Sequence, residues 1–106
     1  MKATQAGVGR QGRELVEQLA SQIGATQVTH FSEGAAVELP GSLRTSAEDF
    51  AEACTALTVR DLLASGSTVS GLAKVEWGGR EREAGFVAEL DSQASKVRRL
   101  RLFWEH

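Results

Sequence analysis

The segment from Lys96 to Trp104, KVRRLRLFW, constrains the fold of this chain more than any other. Leu100 and Leu102 alternate with arginines, which is the period-two pattern of a β-strand with one buried face and one wet face. Phe103 and Trp104 then make both faces apolar, so we expect this strand to end against an aromatic surface. We predict a long final strand in a curved antiparallel sheet whose concave side has room for a small molecule.

A β-hairpin is predicted before that strand, around Gly78-Gly79. Two adjacent glycines suit a two-residue turn, because both turn residues need positive φ. Such a turn places Glu76 opposite Glu81, whereas a one-residue bulge would place Glu76 opposite Arg82. We favour the two-residue turn, because it directs one set of apolar residues to one face. These residues are Ala73, Val75, Ala84 and Phe86.

Helices are predicted in the first half of the chain. Apolar residues recur at helical spacing between about residues 10 and 23, and Thr26 is a candidate cap for a short second turn. Thr45-Ser46 followed by Glu48-Asp49 forms a capping box, which predicts a third helix to about Ala56. Strands are expected at 35–39, near 58–64, and over 68–77, 80–91 and 96–104.

This order of elements predicts an α+β domain, a cone-shaped curved sheet wrapped around N-terminal helices. The 106 residues suffice for one such domain. We assign residues 1–9, which contain two glycines and no periodicity, to a flexible N-terminal tail, and residues 10–106 to the single domain.

Composition excludes several classes of partner. Twelve basic residues against 14 acidic ones give a formal net charge of -2, so the broad positive field of a nucleic-acid-binding protein is missing. No apolar run is long enough to span a membrane or resembles a signal peptide. Cys54 is the single cysteine, which favours a reducing, cytoplasmic location. His30 and His106 offer no metal-ligand spacing with it, and we predict no metal and no cofactor.

Three stretches resemble the nuclear transport factor 2-like superfamily, in its SnoaL-like and ketosteroid-isomerase-like branch. Residues 28–40, VTHFSEGAAVELP, are similar to the family's segment of helix end, acidic turn and strand. Residues 75–80, VEWGGR, resemble its hairpin, and residues 96–104 resemble its last strand. The resemblance implies the family's α+β barrel over about residues 10–105.

The same resemblance argues against isomerase chemistry. In ketosteroid isomerases the aspartate base stands just before the proline of the first strand, where this chain has Leu39. The positions similar to the two oxyanion donors hold Leu15 and Phe86, and the chain contains no tyrosine. Proton abstraction beside a carbonyl needs a carboxylate base and donors for the enolate. The resemblance therefore implies that this activity is lost.

Three other side chains are candidates for chemistry, each with a structural alternative. His30 sits where the family's pocket closes and could act as an acid or base, or it could be a structural imidazole bonded to its surroundings. Asp61 could reach into the cavity, as acids do in related epoxide hydrolases, or it could pair with Arg60 at the surface. Cys54 could be a nucleophile, but a small buried thiol is the usual role of such a residue.

The resemblance also places seven residues around the cone: Phe31, Leu39, Phe50, Cys54, Phe86, Leu100 and Trp104. An apolar cavity of a few hundred Å³ there would support binding of a small apolar molecule, with isomerase, cyclase or hydrolase chemistry left open. A closed core would instead support a non-catalytic dimerisation or interaction module with a filled cone. Trp104 is predicted at the mouth or floor of this cone.

We also predict a homodimer through the outer face of the sheet. Phe103, Leu62 or Val87 on the convex side would otherwise leave an apolar patch in water.

Overall fold

The computed structural model describes residues 2–23, 28–93 and 95–104. These ranges contain two helices and a six-stranded sheet, so the predicted α+β class is confirmed. The elements are α1 (Lys2–Ile23), β1 (Phe31–Leu39), β2 (Leu43–Ser46), α2 (Ala47–Ala53), β3 (Cys54–Ser65), β4 (Thr68–Trp77), β5 (Arg80–Leu90) and β6 (Val97–Phe103). Neither helix is long and apolar enough, over its described residues, to cross a membrane.

The strand order is β2-β1-β6-β5-β4-β3. All neighbours are antiparallel except β1 and β6, which pair in parallel, so the expectation of a purely antiparallel sheet is wrong at this one place. The two strands start at the same end of the sheet, where the Val97 N–H donates to the His30 carbonyl at 2.8 Å. The parallel pair arises because the final strand enters the sheet between the first strand and the hairpin.

Helix α1 covers one face of the sheet, which we call the inner face. Its apolar stripe is buried at Leu15, Val16, Leu19 and Ile23, as the helical spacing predicts. The sheet contributes alternate residues to the same core, because side chains of a strand point to opposite faces in turn. The opposite surface of the sheet, which bears most of its charged side chains, is the outer face.

The predicted hairpin is confirmed. Gly78 and Gly79 have φ of 63° and 76°, which are values for a two-residue turn of positive φ. Glu76 stands opposite Glu81, as the two-residue turn requires. The alternation of the final strand is also confirmed, because Leu100 and Leu102 are buried while Phe103 is 53% exposed.

A bulge in β3 overturns the predicted position of Leu62. Arg60 pairs with Leu72 but Leu63 pairs with Ser70, so the register shifts by one residue between them. Asp61 takes a φ of 55° at this point. The extra residue exchanges the two faces of the strand. Leu62 therefore packs against the core, and Leu63 is the residue exposed on the outer face.

Several predicted boundaries differ from the structure. Helix α1 begins at Lys2 and not near residue 10, so residues 2–9 are helical and not a tail. Helix α2 ends at Ala53 because Cys54 already has extended φ and ψ of -90° and 112°. Its predicted cap is confirmed, since the Asp49 N–H donates to Ser46 Oγ at 3.1 Å. Strand β2 was not predicted, β1 starts four residues early at Phe31, and Thr26 lies outside the described residues.

Candidate functional site

The interior between the inner face and the part of α1 that carries Val16 and Leu19 is almost filled. A void of about 10 Å³ remains there, which is the space of one water molecule at most. All nine side chains that line it are apolar: Val16, Leu19, Leu57, Val59, Phe86, Ala88, Val97, Leu100 and Leu102. The part of the cone bounded by these residues is thus packed core and has no room for a ligand in this conformation.

The seven residues predicted around the cone are dispersed through that core. Phe86 and Leu100 share the void, whereas Leu39 lies at the end of β1 beside a separate surface depression. Phe50 is fully buried and stacks on Trp77, with ring centroids 5.6 Å apart. Six of the seven are buried and Trp104 is half-buried: Phe31, Leu39, Phe50, Cys54, Phe86 and Leu100 form the buried set. Binding of a ligand by any of them remains a prediction.

The part of the interior that the structure describes offers no carboxylate or imidazole for acid–base chemistry. Leu15, Leu39 and Phe86, which stand at the positions similar to the isomerase's functional residues, are all buried. Over residues 10–23, 28–93 and 95–104, no polar or charged residue is buried. The described residues also include no group of three histidine, cysteine or acidic side chains placed to hold a metal ion.

Cys54 is a protonated thiol within the core. Its Sγ donates to the Ala56 carbonyl at 3.3 Å, and burial raises the pKa of the thiol to about 11. Because the thiolate is the nucleophile, a raised pKa suppresses reactivity. Cys54 begins β3, whereas the predicted third helix to about Ala56 would have included it.

We therefore expect Cys54 of the native protein to react with Ellman's reagent far more slowly than the urea-unfolded chain does at the same mildly alkaline pH. Burial excludes the reagent, and the raised pKa keeps the Cys54 thiol protonated at the pH of the assay. Equal labelling rates for the folded and unfolded chains would contradict the buried position of this thiol.

His30 is held by the amide side chains of α1. Its Nδ1 lies 2.7 Å from Gln22 Oε1, and its Nε2 lies 3.1 Å from Gln18 Oε1. The ring borders a surface depression that also includes Glu14 and Ser95. These contacts match the alternative of a structural imidazole, which ties the start of β1 to the first helix.

Asp61 lies on the edge strand and does not reach the interior. Its side chain is 69% exposed and its Oδ2 is 3.2 Å from Arg60 Nη1. The expected reach into a cavity is therefore wrong, because the positive φ of the bulge turns this residue outward. The structure shows the surface ion pair that the sequence offered as the alternative.

Arg82 is a feature that the sequence reasoning missed. It stands opposite Val75 on the inner face, and its guanidinium carbon lies 5.6 Å from the ring centroid of Trp104. Its Nε is buried and has no hydrogen-bond partner among the described residues. A cation over an indole face is a favourable contact. The alternation of β5 with Ala84 and Phe86 was the signal that placed this arginine inward.

The outer face carries an apolar strip. Three large side chains are exposed on neighbouring strands: Phe103 (53%), Leu72 (41%) and Leu63 (67%), with half-buried Val87 between them. The strand registers place these four residues on β6, β5, β4 and β3, so that they cross the middle of the sheet. We call these four residues the apolar strip.

Charged side chains border the strip. On one side, Arg99 Nε donates to Glu38 Oε2 at 2.7 Å and Arg101 Nε lies 3.2 Å from Glu38 Oε1. The hydrogen bond from Arg99 lowers the pKa of Glu38, and the nearby charges of Arg99, Arg101 and Arg44 add to this. The opposite side is acidic, with Glu76, Glu81 and Glu83 near the hairpin and a single lysine, Lys74, among them.

Comparison with known proteins identifies the architecture through structure alone. No family model matches the chain, and no curated protein matches its sequence. A protein of unknown function from Cytophaga hutchinsonii, described as NTF2-like, superposes with a TM-score of 0.74 at 12% identity, covering 89% of each chain. A candidate ketosteroid isomerase from Kribbella flavida gives 0.73 at 22% identity, covering 92% of this chain and 80% of that one. A protein of unknown function with a cystatin-like fold, from Methylobium petroleophilum, gives a TM-score of 0.76 at 10% identity, covering 92% of this chain and 78% of that one.

Proposed function

The chain has the nuclear transport factor 2-like fold, as its sequence resemblance predicts, and from this premise we propose that it is a non-catalytic module that works as a pair of identical copies. One observation carries the proposal: over residues 10–23, 28–93 and 95–104 no polar or charged residue is buried, while large apolar side chains are exposed on the outer face. A catalytic cone would place at least a few polar groups among its apolar lining.

The non-catalytic part of the proposal rests on what the interior contains. An enzyme that moves protons needs an acid or base within hydrogen-bond reach of its substrate. The buried thiol of Cys54 is held protonated by its raised pKa, and His30 and Asp61 lie at the periphery. The void in the described core, about 10 Å³ and lined only by apolar side chains, has no room for a substrate.

The pairing part rests on the apolar strip. Contiguous exposed apolar surface on a small protein marks an interaction site more often than an accident of composition. We propose a second copy as the partner, because the charged side chains that border the strip are net positive on one side and net negative on the other. The same surface on a second copy supplies the complement of both.

Replacing Phe103 by glutamate is expected to convert the pair into monomers, because it puts a charge within the apolar strip. Light scattering at tens of micromolar measures this directly. Leu43→Glu is the matched control, since Leu43 is 57% exposed on the edge strand β2, away from the strip. If both variants keep the mass of the wild-type pair, the outer face is not the interface.

A second candidate function is the binding of a small apolar molecule beside Trp104. The observation that favours it is the unpartnered Nε of Arg82 next to the indole face of Trp104. Binding there would require the packed interior to open, and a carboxylate on the ligand would supply the partner that Arg82 lacks.

This candidate predicts that naphthoate binds and that naphthalene lacking the carboxylate binds more weakly. Trp104→Ala is expected to weaken naphthoate binding by about 1–3 kcal/mol while the pair stays intact. Titration calorimetry measures the affinity. Arg82→Gln tests the proposed contact with the carboxylate, and Arg80→Gln is its control, because Arg80 is exposed on the same hairpin. No measurable heat with either compound would eliminate this candidate and leave the proposed pairing unaffected.

A further inference from the structure

We infer that the two copies meet about a two-fold axis that runs across the strands along the row Phe103–Gly85–Leu72, and that reciprocal arginine–glutamate contacts fix this register. The inference rests on the pairing proposed above and adds its geometry and electrostatics. It follows from the strand registers and from where the charges lie relative to this row.

The row is a continuous line of paired residues on the outer face. Gly85 pairs with Phe103 on one side and with Leu72 on the other. An added Cβ at Gly85 would come no nearer than 4.0 Å to a neighbouring atom, the Gly71 carbonyl oxygen. The row therefore has two exposed apolar side chains separated by a residue without one, a shape that allows a second sheet to approach closely.

Opposite charges lie at equal distances on the two sides of the row. Strands β5 and β6 are antiparallel, so the residues that precede Gly85 and those that precede Phe103 lie on opposite sides of the row. Arg101 lies two residues before Phe103, and Glu83 lies two residues before Gly85. Four residues back are Arg99 and Glu81. Each arginine thus has a glutamate as its counterpart across the row.

A two-fold axis along the row exchanges its two sides. It places Arg101 against Glu83 of the partner subunit and Arg99 against Glu81 of the partner subunit. The members of each pair are offset by one strand, about 4.8 Å, which the length of an arginine side chain spans. Symmetry repeats both contacts, so that one register forms four arginine–glutamate pairs.

The existing ion pairs leave net charge for these contacts. Arg98, Arg99 and Arg101 share two carboxylates, Glu38 and Glu89, which leaves one positive charge. On the opposite side Glu76, Glu81 and Glu83 surround Lys74, which leaves two negative charges, although Arg60 at the end of the row also contacts Glu83. Glu89 would face Glu81 of the partner subunit, but Arg98 and Arg99 both bind it, at 3.0 and 3.6 Å.

Charge reversal tests this register. One variant carries Arg99→Glu and Arg101→Glu, and another carries Glu81→Arg and Glu83→Arg. Each alone places like charges together at all four contacts, so we expect its self-association to weaken by more than tenfold. An equimolar mixture of the two restores opposite charges and is expected to form a mixed pair with an affinity within about tenfold of the wild type. Sedimentation velocity with one variant fluorescently labelled measures all three affinities.

The controls separate this inference from the proposal on which it rests. Glu14→Arg with Glu17→Arg reverses two exposed charges on α1 and is expected to leave pairing unchanged. Recovery in the mixture itself shows that both variants are folded. If either reversal variant pairs as the wild type does while Phe103→Glu is monomeric, or if the mixture fails to recover, the register is wrong and pairing through the outer face stands. If the wild type is monomeric, both ideas fail together.

Discussion

Replacing Phe50 by alanine is expected to lower the free energy of unfolding by about 3–5 kcal/mol, the usual loss for a large aromatic side chain removed from a core. Phe50 is fully buried on the short helix α2, and its ring stacks on Trp77 at 5.6 Å. This contact holds α2 against the end of β4. A loss of that size is a large part of the total stability of a small domain, so we expect the variant to be partly unfolded at room temperature.

Urea unfolding followed by circular dichroism measures this change. Leu43→Ala removes a side chain that is 57% exposed, and we expect it to stay within about 0.5 kcal/mol of the wild type. Phe50→Leu keeps most of the buried volume and should cost about 1.5 kcal/mol or less. A loss under about 1 kcal/mol for Phe50→Ala would mean that α2 does not pack as the structure shows.

Gly71→Ala is the second change with a large expected effect, because a Cβ at this position has no space. It would lie 2.9 Å from the Arg60 carbonyl oxygen and 3.1 Å from that of Asp61, both in the bulge of β3. The same Cβ would also lie 3.0 Å from the ring of Phe86. Relief requires the backbone of the bulge to move, so we expect a loss of about 1–3 kcal/mol, and a larger loss for Gly71→Val.

Gly85→Ala is the matched control for this substitution. Gly85 is in the next strand, and an added Cβ there meets nothing closer than 4.0 Å. Both substitutions are best measured in the Phe103→Glu background, so that pairing does not contribute to the unfolding free energy. Equal stability of Gly71→Ala and Gly85→Ala would show that β3 does not approach Gly71 as closely as the structure places it.

Local signals predicted the parts of the sheet whose conformation is set by neighbouring residues. The glycine pair 78–79 fixed the hairpin register, and the alternation from Arg99 to Phe103 fixed which side chains of β6 are buried. Both depend on steric rules that act within a few residues. The Ser46 cap was predictable for the same reason, since its hydroxyl bonds the backbone only three residues away.

The errors arose where distant parts of the chain decide the conformation. Leu62 was assigned to the wrong face because a positive φ at Asp61, a non-glycine residue, shifts the strand by one residue. That bulge fits against Gly71 of the next strand, and neither residue alone indicates it. Strand β2 was missed because its four residues have no alternation of their own and pair only through β1.

The candidate site was predictable in composition but not in volume. The sequence correctly indicated that residues such as Phe86 and Leu100 face the interior. Whether they enclose a cavity or pack together depends on how closely α1 approaches the sheet, and side chains such as Val16 and Leu19 fill that space. Arg82 was missed because its role depends on Trp104 from another strand.

The mass of the native protein in solution tests the central claim most directly, because pairing through the outer face is what the exposed apolar strip is proposed to serve. Static light scattering at tens of micromolar and moderate ionic strength is expected to give twice the chain mass of 11.3 kDa. A mass of one chain, 11.3 kDa, under those conditions would contradict the account.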